Sequence, residues 1–108
     1  MTDFLTQVQT LVAQDKYEIT THAFIELNED NLLAGEIVSG LVKAVVVEIY
    51  PDYHKGPSVL VLQYDGNGDP VHALWGIPKG KIEPAFLITA YRPDIKKWLP
   101  DFLTRRPK

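Results

Sequence analysis

Three histidines, His22, His54 and His72, are the side chains here best suited to moving protons near neutral pH. Their spacing fits no local metal motif of the His-Glu-x-x-His kind, so no metal is assigned to them. Gathered by folding, His22 and His72 with Glu26 or Glu48 would still make a metal or small-ligand site. His72 alternates with Val71, Ala73 and Trp75. With those three against a helical layer, His72 faces the opposite, open side of a sheet. The same alternation pairs Glu48 with Tyr50 and Thr89 with Tyr91, and Gln63 is offered by a further strand. His72, Thr89, Tyr91, Gln63 and Glu48 then form one polar face, which is either a site or ordinary solvated surface. His22 follows Thr20 and Thr21 at a helix start, where capping or packing is the plainer role. His54 lies between Tyr53 and Lys55 in a loop.

Other chemistries are missing. The chain has no cysteine, which removes disulfides, thiolate nucleophiles and cysteine-bound zinc. Gly66 and Gly68 belong to a hairpin turn rather than a phosphate-cradling loop before a helix. No serine sits in a nucleophile elbow, and no cofactor is implied.

The elements that must position these residues change period midway. Phe4, Leu5, Val8, Leu11 and Val12 recur at helical spacing, with Thr2 or Asp3 as cap, and predict a helix over about residues 3–14. Tyr17-Glu18-Ile19 reads as an extended link. Thr20 or Thr21 caps a second helix through Leu27. Asn31 is the expected cap of a third helix, in which Leu33, Ile37 and Leu41 share a face and Gly35 and Gly40 each cost about 1 kcal/mol. Four strands follow, at 44–50, 58–64, 71–77 and 85–91, separated by turns rich in Gly, Pro, Asn and Asp. Trp98 falls on a short helical or irregular tail broken by Pro100, and Trp75 and Trp98 read as core or lid residues. The expectation is α+β: N-terminal helices on one face of a four-stranded antiparallel sheet.

The 108 residues suit one domain: an N-terminal helix over 1–16, an α+β core over 17–98 and a basic tail over 99–108. Composition is that of a globular protein, 45% hydrophobic and 23% charged. No apolar run is long enough for a membrane span, and Met1-Thr2-Asp3 does not open a secretory signal, so a cytoplasmic location is expected. The net charge of −3 is unevenly spread. Residues 1–73 hold three lysines against eleven acids, a balance of −8, and residues 74–108 carry +5. A basic end on an acidic body fits an anionic partner such as RNA, or a solvated tail.

Taken in order, the motifs form a familiar pattern. Thr21-His22-Ala23 opens a helix; Val46-Val47-Glu48-Ile49-Tyr50-Pro51-Asp52 precedes Pro57-Ser58-Val59-Leu60-Val61-Leu62. Pro70-Val71-His72-Ala73 follows the glycine-rich turn. Ile88-Thr89-Ala90-Tyr91-Arg92-Pro93-Asp94 leads to Trp98, Asp101-Phe102 and Arg105-Arg106. This order, over residues 20–106, resembles the bacterial family called domain of unknown function 4258. That family looks related to RelE-like and barnase-like ribonucleases, home to many toxins. The resemblance implies a RelE-like fold, metal-independent cleavage of RNA, and an antitoxin-like protein partner. It implies His72 as base or acid, with His22 and Tyr91 as further catalytic candidates. Arg92 would hold phosphate, and Thr89 and Glu48 would help bind substrate. One departure is notable. Where the family commonly carries arginines, this chain has Glu26 and Asp30-Asn31-Leu32, and acids there oppose a phosphate backbone. The alternative is a non-catalytic module that binds a protein or small ligand through the same sheet face, using aromatics such as Tyr50, Tyr53 and Tyr91.

Overall fold

The computed structural model describes residues 3–107. Thr2, the alternative cap, and Lys108 of the basic tail lie outside them. Helix α1 (Phe4–Ala13) starts where the Asp3 carboxylate accepts from the Thr6 amide at 2.7 Å. It buries Val8, Leu11 and Val12. It stops where Asp15 adopts a left-handed backbone, φ 60°, and the Lys16 amide donates back to the Leu11 carbonyl.

Tyr17–Ile19 is a strand, β1, where a link was expected. It lies parallel to β5 (Ala85–Tyr91), Tyr17 opposite Ala85 and Ile19 opposite Leu87. The physical reason is the edge of β5, whose backbone groups need partners. The sheet therefore has five strands in the order β1-β5-β4-β3-β2, with one parallel pair, rather than four antiparallel ones. The other strands, β2 (Val45–Tyr50), β3 (Ser58–Tyr64) and β4 (Pro70–Gly76), form the expected antiparallel meander with β5.

Helix α2 (Thr21–Glu29) is capped by Thr20, whose hydroxyl accepts from the Ala23 amide. It runs along β5 beyond the end of β1. Asn31 does not cap α3 (Ala34–Gly40). With φ 54° it closes α2 instead, and the Leu32 amide donates back to the Leu27 carbonyl. Leu41, expected on the third helix, begins a short 3-10 turn over Leu41–Lys43.

The core lies between the helices and one sheet face: Val8, Leu11, Ala23, Leu27 and Ile37 meet Val59, Val61, Val71, Ala73, Trp75 and Leu87. Trp75 is fully buried, its ring edge-on to Tyr17. Gln63 belongs to this face and not to the polar one: it is buried, and its Nε2 donates to the Ile37 carbonyl at 2.9 Å. Strict alternation explains the correction, since Val59, Val61 and Gln63 share parity. Gly40 makes room for it, because a Cβ there would stand 2.7 Å from Gln63 Nε2. Gly40→Ala should orphan that amide at about 1–3 kcal/mol, outweighing the ~1 kcal/mol alanine regains in helix propensity. A lower urea midpoint at unchanged slope checks this; a raised midpoint contradicts it. No described helix is long and apolar enough to cross a membrane.

Candidate active site

The second sheet face carries Leu62, His72 and Tyr91 in one cross-strand row, and Glu48, Leu60 and Leu74 in the next. It was expected to be open around His72. In fact His72 has no exposed surface, because residues 94–107 fold back over it. Trp98 is buried, bridges to Arg105, and sets its ring edge-on to the His72 imidazole at 4.5 Å. A turn built on Asp101, which accepts from the Leu103 and Thr104 amides, puts Phe102 at φ 57° and turns its carbonyl toward His72. The expected helical or irregular tail is thus a strap fastened to the sheet. Leu60, Leu62 and the strap's own Trp98 are buried on this side, outside the main core.

The partners of His72 fix its tautomer. The Phe102 carbonyl, 2.7 Å from Nε2, can only accept, so Nε2 carries the proton. Nδ1 then accepts from the Tyr91 hydroxyl at 3.2 Å. Burial holds the imidazole below its ordinary pKa, partly opposed by the Phe102 carbonyl, and burial pushes the Tyr91 phenol up. His72 is therefore neutral at pH 7, a base in waiting. The linkage has a definite sign. The unfolded chain binds a proton near pH 6.5 that the folded chain refuses, so stability falls as pH drops below the unfolded value. The slope cannot exceed ~1.4 kcal/mol per pH unit for one group. A falling Tm from pH 7 to 5, flattened in His72→Gln, is the expected outcome; an identical slope in the variant contradicts it.

Glu48 neighbours this pair. It accepts from Arg105 through Nε at 3.2 Å and a second guanidinium nitrogen at 2.8 Å, and from the Tyr50 hydroxyl at 2.5 Å. Arg105 first, then Tyr50, holds the Glu48 carboxyl below its usual range. The same contacts raise Arg105, whose guanidinium lies 4.7 Å over Trp98. Tyr50 is raised by burial first and by Glu48 second.

Thr89 stands opposite Leu74, two residues from Tyr91, on the His72 side as expected. A bulge follows, between Leu74 and Trp75, where β5 carries one extra residue, and the Thr89 hydroxyl donates to Glu26 of α2 at the sheet edge. Glu26 also pairs with His22, Oε1 to Nε2 at 3.0 Å, and the His22 side chain is 70% exposed. One turn on, Asp30 accepts from the Arg92 amide at 3.0 Å. The two acids that depart from the family pattern thus stitch α2 to the edge of β5. The Arg92 side chain pairs with Asp65 at 2.9 Å. Asp65 is held low chiefly by backbone amides of its own hairpin, with Arg92 adding to that.

The expected residues therefore form two groups joined along β5. His22, Glu26 and Thr89 make one; His72 and Tyr91, beside Glu48, make the other. His54 joins neither and packs on the Tyr53 ring. Sequence reasoning missed the roles of Arg105 and the Phe102 carbonyl. Glu48 and Arg105 are 57 positions apart, and no spacing rule connects them. Above His72 a groove of about 350 Å3 is lined by Tyr91, Arg92, Asp94, Lys97, Trp98 and Arg105. Among the described residues no three of His, Asp and Glu converge as a metal site.

Residues 19–92 match the family described as Domain of unknown function (DUF4258). The strap lies beyond that match. No curated protein and no solved structure matches the chain.

Proposed function

Since the chain belongs to the family called domain of unknown function 4258, whose description names no activity, we propose its function from the groove: it is a metal-independent ribonuclease of the toxin type. One observation carries the proposal. A groove with two aromatic rings and three cationic side chains lies directly over a neutral, hydrogen-bonded histidine. Aromatic rings stack on unpaired bases and cations hold phosphates, the pairing that single-stranded RNA requires. Tyr91 lines the groove and His72 lies behind it. The Tyr91 hydroxyl takes the proton of a ribose 2′-hydroxyl while passing its own to His72 Nδ1. The freed 2′ oxygen bonds to phosphorus, the bond to the 5′ oxygen breaks, and the Lys97 ammonium protonates the leaving oxygen. Arg92 and Arg105 stabilise the charge on the phosphorane. The product is a 2′,3′-cyclic phosphate. His72 is a positioning and proton-storing residue here, and Tyr91 is the group that touches substrate. The exposed His22–Glu26 pair is a secondary contact for the RNA chain. Such an enzyme would work in the cytoplasm and be silenced by an antitoxin-like protein, as the family's expected kinship with RelE-like and barnase-like enzymes implies.

A second reading has its own support. Both nitrogens of His72 are satisfied within the chain, and Arg92 and Arg105 are already paired to carboxylates. On that reading the groove binds without cleaving. One experiment separates them: labelled single-stranded RNA is mixed with the protein in EDTA, and binding and length are followed together. The ribonuclease reading expects shortened RNA, at a rate that rises with pH as His72 loses its proton. Bound but intact RNA favours the binding module. Neither binding nor cleavage removes RNA from the account.

A further inference from the structure

The second sheet face has another concavity, at the end away from the strap. Its walls are Ile77, Phe86, Ile88 and Tyr53, with Lys55 among the lining side chains, and its volume is about 270 Å3. Glycine builds it. Gly76 lines the cavity from β4, and a Cβ there would stand 2.8 Å from Ile88 Cδ1 and 3.2 Å from the Pro57 carbonyl. Gly56 fixes the wall that carries Tyr53 and Lys55: at φ 130° its missing Cβ would fall 2.1 Å from the Ile77 carbonyl. The Gly56 amide also bonds the Tyr53 carbonyl, and the Lys79 amide bonds the Lys55 carbonyl. The loop backbone is thereby held on both sides while the Lys55 side chain is left free. Among the described residues no carboxylate pairs with the Lys55 amine.

An apolar cavity with one unpaired cation among its lining residues selects a ligand with an apolar body and one negative charge. We propose that this cavity binds a small carboxylic acid with an aromatic or branched apolar body, the body between Phe86, Ile88 and Ile77 and the carboxylate on Lys55. The site is separate from the RNA groove and does not depend on its chemistry.

The test is a titration of 15N-labelled protein with phenylacetate and, separately, with its neutral analogue phenylacetamide, followed by amide NMR shifts. Saturable shifts are expected at residues 53–56, at Gly76 and at residues 86–88. Phenylacetate should bind three- to fivefold tighter, the size of a half-exposed ion pair. Lys55→Gln should erase that preference and leave phenylacetamide binding unchanged. No saturable shift at those amides with either probe overturns the site. Shifts confined to residues 91–105 overturn it in favour of the other groove. Equal affinity for the two probes, or a preference that survives in Lys55→Gln, overturns the carboxylate assignment.

Discussion

Tyr91→Phe is expected to slow RNA cleavage by about 10²–10⁴-fold, the usual worth of a positioned proton-transfer group. The substitution removes one oxygen. It leaves the ring in the groove and the cross-strand pairing with His72 intact. His72 Nδ1 loses its donor at the cost of one hydrogen bond, about 1 kcal/mol, so the fold survives. RNA affinity should change little, because the stacking surface and the cations remain. His72→Gln should show the same loss of rate with RNA still bound. A Tyr91→Phe protein that cleaves at the wild-type rate while His72→Gln does not would remove the relay through Tyr91. Two variants that both cleave normally would move the chemistry elsewhere, first to the exposed His22–Glu26 pair.

The largest expected loss of stability is at Trp75. Its ring is fully buried at the centre of the helix-side face, on the strand that pairs with both β3 and β5. Trp75→Ala should cost about 3–5 kcal/mol through lost burial and the void it leaves. A domain of this size has roughly 5–15 kcal/mol in total. Among the described residues the indole nitrogen has no hydrogen-bond partner. Trp75→Phe therefore relieves one orphaned donor and should recover much of the loss. Urea unfolding of the two variants is the check. A cost below 1 kcal/mol for Trp75→Ala would mean the main core lies elsewhere.

Much of this was legible in the residues because it depends on local period. The alternation of Val71, His72, Ala73, Leu74 and Trp75 gives the two faces of β4 directly, and the structure places them so. Asp3 and Thr20 cap the helices expected of them, since the cap bond spans three residues. The failures are long-range. Tyr17–Ile19 is too short to be recognised without the β5 edge it completes. The bulge beside Thr89 shifts the register of β5 against β4, and nothing in Ile88-Thr89 announces one. Asn31 suits either end of a helix, and only the back-bond of Leu32 decides between them. Trp98 is the core or lid residue it was expected to be, but its seat on His72 was invisible, and the Phe102 carbonyl that completes the cover comes from a tail that reads as solvated and basic. The acids Glu26 and Asp30 looked like a repulsion toward RNA. They are also internal fastenings to Thr89 and to the Arg92 amide.

The measurement that bears most directly on the central claim compares a short single-stranded RNA with the same sequence in which every 2′-hydroxyl is absent. Purified protein is incubated with each in EDTA, and the products are weighed by mass spectrometry. Fragments ending in 2′,3′-cyclic phosphate are expected from the RNA, and none from the deoxy strand. Equal cutting of both strands, or an intact RNA bound in the groove, would contradict that claim.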